Sequence, residues 1–405
     1  MSSNNVLLTA LALSPQYVPV GLVILAVVSL LFPSWIQHGH FLNAPNTLSF
    51  TSSQAWDDKS TANDVDHRRL RRIQAHAFSE KALSLQEGFL RQYTAMFISR
   101  LHESISQPGG DIVNITRWLN LLTTDIIGEL TFAESFEGLA KNRLHPWLET
   151  VFLTLKAFTF IRELTRLPPI FMRLAMACIP ANMLEHQRAA VAFGAKAAKR
   201  RMGLGTERPD FMSYILRQTG EQRMTEPEIE AAAITFIVAG SETTATMLSG
   251  TVYLLCQDRA ILERLTSLVR TDFASESDLT LVKLQQHEYL NAVLQEGLRL
   301  YPPAPDNLFR VTPETGGYVM GELLPPKTSL TVNLWAANRS SENFHRPLEF
   351  IPESLAWAEM RMILAHLVWN FNLELQSDTQ GWIERQKVFM LWEKPDLNIK
   401  MSRRH

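Results

Sequence analysis

Between residues 64 and 299 apolar side chains return with the period of a helix. Over 66–97, Leu70, Ile73, Ala77, Leu83, Phe89, Leu90 and Tyr93 fall close to a 3.6-residue repeat, which Ser79 interrupts. The same spacing predicts helices over 112–132, 147–171 and 226–257, separated by Pro108-Gly109-Gly110, Pro168-Pro169 and Gly203-Leu204-Gly205. The longest opens at Thr225, with Glu228 three residues on as a capping box and Pro227 tolerated in the first turn. After Arg299 the pattern changes. Tyr301-Pro302-Pro303-Ala304-Pro305 stops a helix, and strand-like runs follow at 318–320 and 329–334, set apart by Gly316-Gly317 and Pro325-Pro326. Residues 355–369 read as a helix again, and 371–375 alternate like a terminal strand. The chain is therefore expected to be mainly α with a small β portion.

The stretch 18–32 is apolar apart from Ser29, and no formally charged residue precedes Asp57. Carried through Trp35 and Ile36, it reaches the roughly twenty residues that cross a bilayer core, with Tyr17 and Trp35 as interfacial aromatics. A cleaved signal peptide calls for a basic start and a shorter apolar run, and the sequence has neither. The expectation is a membrane anchor over 1–40, spanning about 17–36, followed by one domain over 41–405. With 46% apolar residues and a net charge of −2, the domain reads as globular and has no excess of positive charge for nucleic acid. Two cysteines, Cys178 and Cys256, give neither a disulfide framework nor metal-ligand spacing, so no metal site of protein ligands is expected. Both sit in apolar runs and read as buried small hydrophobes. No Gly-x-Ser-x-Gly elbow, phosphate-cradling Gly-Lys-Ser/Thr loop or His-Glu-x-x-His helix is present.

The centre of the 226–257 helix carries Ala239-Gly240-Ser241-Glu242-Thr243-Thr244 between apolar flanks. Burying such a polar cluster is costly unless it is partnered. Gly240 gives up about 1 kcal/mol of helix propensity relative to alanine and leaves the helix wall bare, so that a small ligand reaches the backbone. Thr243 brings a hydroxyl that competes for the i−4 carbonyl, and Glu242 a carboxylate able to relay protons. A glycine-kinked helix with ordinary serine and threonine back-bonding carries the same six residues. Farther on, Glu296-Gly297-Leu298-Arg299 places opposite charges three apart on one helix face, directly before the Tyr301-Pro302-Pro303 exit. Upstream, Asp66-His67-Arg68-Arg69-Leu70-Arg71-Arg72 sets a histidine four residues before an arginine.

Together these stretches resemble the cytochrome P450 family, over roughly 47–398 and with gaps. The resemblance implies that family's mainly helical fold, with Glu242 and Thr243 as the acid–threonine pair of the oxygen-activating helix and Gly240 making its groove. It implies heme as cofactor, its propionates held by His67, Arg71 and Arg310, and a structural Glu296–Arg299 pair locked to a further arginine. Arginine suits propionates because its planar fork binds carboxylates bidentately. Arg68, Arg69 and Arg72 lie where the resemblance places a face for a reductase, and the same three residues also read as a solvated helix face. The implied function is monooxygenation of a small hydrophobic secondary metabolite, as in filamentous-fungal members. Electrons come from NADPH through NADPH-cytochrome P450 reductase, and the domain faces the cytosol at the endoplasmic reticulum membrane.

One piece is missing. Residues 344–353 resemble the approach to the family's heme loop, and 355–361 resemble the helix after it. Between them the family has a loop with one cysteine, whose thiolate ligates the heme iron. Here Glu353 is followed at once by Ser354, so both that cysteine and the arginine expected after Pro352-Glu353 are absent. The segments before 44–50 and over 54–66 are also shorter than the family's. The chain as written is therefore expected to form no thiolate-ligated heme, and Glu296 and Arg299 to lack their third partner. The alternative to an active monooxygenase is a catalytically inactive, heme-free remnant or the product of a mis-spliced message. In the second case, genomic DNA between the codons for Glu353 and Ser354 holds an in-frame stretch with the missing cysteine.

Overall fold

The computed structural model describes residues 35–37, 40–44, 47–50, 65–164, 168–177, 181–220, 223–306, 309–352, 358–389 and 391–404. The chain divides into two units, one of Met1–Ala62 with Asn307–His345, the other of Asn63–Asp306 with Arg346–His405.

The smaller unit is built on a five-stranded sheet in the order β1 (Trp35–Gln37), β2 (His40–Ala44), β3 (Thr47–Phe50), β8 (Ser329–Val332), β5 (Arg310–Val311). Its one parallel pair joins β3 to β8, from Thr47 opposite Ser329 to Phe50 opposite Val332. A hairpin of β6 (Gly317–Val319) and β7 (Glu322–Leu324) turns through Met320 and Gly321, both at positive φ as a tight two-residue turn demands. Val319, Leu324, Leu330, Val332 and Ala337 form its core. The run expected as strand to residue 334 ends sooner. Asn333 accepts the Ala336 N–H at 2.9 Å and caps a short helix, Leu334–Ala337. At the other end, the expected span loses its last two residues to a strand, since Trp35 and Ile36 pair with Leu42 and Phe41. The rest of that anchor lies outside the described residues.

In the larger unit, Ser79 does what its place in the sequence predicts. It accepts the Ala82 N–H at 3.3 Å, separating α1 (Val65–Ala75) and a 3₁₀ turn from α2 (Glu80–Ile105). The helix expected from 112 begins later. Ile112–Asn114 form β4, which pairs with β12 (Asn398–Arg403), and Asn114 caps α3 (Ile115–Phe132). The expected 147–171 helix is two, α4 (Pro146–Leu164) and α5 (Pro169–Ala177), because the residue before a proline is driven out of the helical region. Then come α6 (Ala181–Gly203), α7 (Glu226–Gln257), α8 (Arg259–Asp272), α9 (Glu288–Leu300) and α10 (Ala358–Asn370). The tail adds β9 (Phe371–Leu375), which joins β12 and β4, and a hairpin of β10 (Lys387–Phe389) and β11 (Leu391–Glu393). Arg201 at the end of α6 grips Asp210 through two bonds of 2.8 and 2.7 Å, both side chains fully buried, while Asp210 caps the short helix Phe211–Leu216.

Helix α7 runs through the middle of this unit, and neighbours come close where glycine leaves room. A Cβ on Gly240 would lie 2.5 Å from Ile127 of α3, and one on Gly250 would overlap the ring of Tyr301. Gly297 of α9 gives the same room to Thr251 of α7. Gly88 in α2 has open space instead. Two alanine substitutions therefore separate propensity from packing. Gly88→Ala should stabilise by roughly 0.5–1 kcal/mol, whereas Gly250→Ala should destabilise by about 1–3 kcal/mol as overpacking outweighs propensity. Urea midpoints measure both, and a stabilised Gly250→Ala would refute the packing account.

Candidate functional site

Thr225 starts α7 with its backbone N–H donating to the Glu228 carboxylate at 2.7 Å, which anchors the helix before its apolar run. Most of the helix is enclosed, but Ala231, Thr235 and Ala239 are exposed and Thr243 is half-exposed, each one turn beyond the last. A strip of small residues at four-residue spacing is thus left open along an otherwise buried helix. Thr235 back-bonds to Ala231 at 2.8 Å, and the Thr243 hydroxyl donates to the Ala239 carbonyl. The open face therefore presents hydroxyls already engaged with their own helix.

Two residues of this segment have neighbours that the sequence did not suggest. Gly240 does not face the open strip with a bare wall, because Ile127 of α3 fills the space beside it. Glu242 is not a solvent-linked carboxylate either. It is buried and paired with Lys394, whose side chain is only 3% exposed. The Lys394 ammonium also donates to Thr246 at 2.6 Å, and the Thr246 hydroxyl lies 3.3 Å from Glu242. Glu242 and Thr243 thus look to different partners. The reading of the sequence missed Lys394. The one available signal was that a carboxylate centred in an apolar helix needs a cation, and nothing in the sequence says from where.

Around this pair stands an aromatic wall. The Tyr301 ring stacks on Trp392 at 5.1 Å and meets Trp382 at 5.6 Å. Its hydroxyl bonds Gln386, and burial pushes it well above the usual phenol range. Trp392 donates to the Pro302 carbonyl at 2.7 Å, so the proline exit after α9 is tied to the end of the chain.

Glu296 and Arg299 pair as their spacing predicts, through two bonds of 2.7 Å. They are not left wanting, as the missing arginine had implied. Arg299 donates to the carbonyls of Pro347 at 2.7 Å and Glu349 at 2.9 Å, and the Ile351 N–H donates to Glu296 at 2.9 Å. Backbone groups supply the bonds expected from a side chain.

The remaining expected site residues lie on separate elements. Arg71 is exposed on α1, and the His67 side chain lies outside the described residues. Arg310 is exposed on β5 of the other unit and donates to its neighbour Phe309 at 2.9 Å. Arg69 pairs with Glu228 at the start of α7. Cys178 is outside the described residues. Cys256 occupies the last turn of α7, where burial pushes its thiol up to about 12.

The cytochrome P450 family profile matches residues 20–354. The chain belongs to the cytochrome P450 family. Cytochrome P450 monooxygenase astA of Talaromyces wortmannii is 36% identical over 418 aligned positions, covering 89% of this chain and 84% of the relative. The trichothecene C-4 hydroxylase of Trichoderma arundinaceum is 34% identical, with 89% and 84% covered. The trichothecene C-15 hydroxylase of Fusarium sporotrichioides is 34% identical, with 86% and 77% covered. An alignment of 418 positions is longer than the part of this chain inside it, so the relatives hold segments that this P450 lacks. The family profile stops at Ser354, where the sequence lacks the cysteine loop.

The P450 family implies heme, and among the described residues no thiol fits its thiolate ligation. Cys256 is thirteen residues along α7 from Thr243, about 20 Å by helical rise, and its thiol is held protonated. Among the described residues no group of three or more His, Cys, Asp or Glu stands ready for a metal. Nor do the buried polar atoms without partners include any from Glu242, Thr243, Glu296, Arg299 or Lys394.

The Glu242–Lys394 pair gives a sharp test. Lys394→Met should cost about 3–5 kcal/mol by stranding a buried carboxylate, while the double replacement with Glu242→Met should recover most of that loss. Urea unfolding of the three proteins measures it. Equal losses in the single and double variants would show that charge is not the cause.

Proposed function

We propose that this P450 derives its scaffold from monooxygenases that oxidise a small hydrophobic secondary metabolite, with electrons from NADPH delivered by a membrane-bound NADPH-cytochrome P450 reductase. The open Ala231–Thr235–Ala239–Thr243 strip carries this reading. It offers small, self-satisfied side chains to whatever lies against α7, which suits an apolar ligand better than a charged one. Two relatives named for hydroxylating trichothecenes support the substrate class. Glu242 and Thr243 are the residues proposed for proton handling, with the carboxylate available to the Thr243 face only when its bond to Lys394 opens. His67, Arg71 and Arg310 are proposed for the heme carboxylates, for which arginine forks are apt.

A second reading concerns the chain in this form, and Cys256 favours it. With that thiol protonated and remote from Thr243, the chain is a P450 without thiolate-ligated heme. Protein expressed with heme precursor, purified and reduced under CO, should show no long-wavelength Soret band of the thiolate type. Such a band would overturn the second reading and leave the first.

The part of the expected 17–36 span that precedes the strand at Trp35 is proposed as an anchor in the endoplasmic reticulum, with the domain on the cytosolic side. Among the described residues, α7 alone is long and apolar enough to cross a membrane, and most of its apolar window is buried in protein. Deleting residues 1–34 should therefore release the protein from carbonate-washed membranes. Retention in the pellet after that deletion would refute the anchor.

A further inference from the structure

We infer that the loop after α3 and the adjoining face of α6 form a second small-molecule site, which takes a planar aromatic carboxylate of one or two rings. Phe132, Phe136, His145, Phe193 and Ala197 line a cavity of about 230 Å³ there, and none of its lining residues belongs to α7. Drug-sized ligands fill roughly 300–1,000 Å³, so this cavity admits only something smaller. The loop that walls it is held in a costly shape. Ala133, Glu137 and Asn142 take positive φ of 57°, 56° and 48°, three of the six such non-glycine residues among those described. Conformations of that kind persist only where the surroundings over-determine them. Buried Asp125 of α3 does this, accepting the Ser135 hydroxyl at 3.0 Å and the Gly138 and Leu139 N–H groups at 2.9 and 2.8 Å. Phe136 completes the hold by lying over Gly128, where a Cβ would come within 2.8 Å of its ring.

The recognition chemistry centres on His145. Its ring meets those of Phe136 and Phe193 at 5.5 and 5.3 Å, and Phe136 in turn stacks on Trp147 at 5.6 Å. The His145 Nδ1 accepts the Trp147 N–H at 3.2 Å at the start of α4, which leaves the ring proton on Nε2. That Nε2–H has no acceptor among the described residues, so it is a donor free for a ligand. Burial, with Lys141 and Arg143 close by, holds the imidazole below its usual range, which keeps it neutral and its Nδ1 able to cap the helix. The carboxylates of the lining are already matched. Glu134 takes two bonds of 2.8 and 2.7 Å from Arg200, and Glu137 takes Lys141. With Arg143, three cations stand against two carboxylates, so the local charge is one unit positive. A free N–H, an excess positive charge and ring walls together suit an anion on a flat apolar body. A carboxylate supplies the acceptor, and its ring the faces for Phe136 and Phe193.

The test needs neither heme nor turnover. The full chain in detergent is titrated calorimetrically with 2-naphthoate against a matched detergent blank, and with 2-naphthylmethanol as the uncharged counterpart. The expected result is one saturable site for the acid, with the alcohol about tenfold weaker, since a hydrogen bond to a charged group is the stronger kind. Ala197→Leu, which fills the cavity, should abolish binding. His145→Asn keeps a side-chain cap for α4 but loses the ring and its Nε2–H, and should weaken binding about tenfold. Phe193→Leu removes one ring wall and should weaken it as well, which covers the case of an Ala197→Leu protein that does not fold. Ala239→Leu, on the open strip of α7, should leave binding unchanged. Urea unfolding checks that each variant is folded. Absence of a saturable site, equal affinity for acid and alcohol, or loss of binding with Ala239→Leu alone would each overturn the second site. So would unaltered binding in both His145→Asn and Phe193→Leu.

Discussion

A carboxylate lies in the middle of the longest buried helix, and the architecture of the larger unit follows from having to match it. Burying one ion in a protein interior costs several kcal/mol unless a counter-charge and further hydrogen bonds come with it. Lys394 supplies the counter-charge and Thr246 the extra bond. To deliver that lysine the end of the chain has to return to α7. It does so by pairing β12 with β9 and β4, and by setting Trp382 and Trp392 against Tyr301. Tyr301 in turn fits only because Gly250 has no side chain. One ion pair thus ties the C-terminal strands, the proline exit of α9 and the centre of α7 into a single core.

What could be read from the sequence was local. Thr225 and Glu228 mark the start of α7 because a capping box is complete within four residues. Ser79 marks a helix break for the same reason, and Glu296 finds Arg299 because three residues bring them onto one face. Apart from the local stops at Asn333 and Pro168-Pro169, the failures are cases in which a distant partner decides. Ile112–Asn114 carries a helical pattern yet joins β12, almost three hundred residues later, because an antiparallel neighbour is there to bond it. Gly240 packs against Ile127, 113 positions earlier, and nothing near it in the sequence says so. Lys394 is 152 positions from Glu242, and no period or motif connects them.

The same distinction separates what holds the fold from what would hold a metal. Glu296 and Arg299 do their structural work on carbonyls and an amide, groups that any residues would provide at 347 and 349 and any but proline at 351. Such contacts tolerate sequence loss nearby. Ligation of a metal does not, because it needs one donor of one type, deprotonated, at one point in space. Cys256 is of the right type but fails on both remaining counts, being remote from the open strip and buried where its thiol stays protonated. Family membership and fold are therefore written redundantly across hundreds of residues, whereas the reaction is written in a handful. The chain matches the P450 profile up to Ser354 and keeps the Glu296–Arg299 pair bonded to the backbone at 347–351, contacts that hold the fold and leave the choice of any metal donor to other residues.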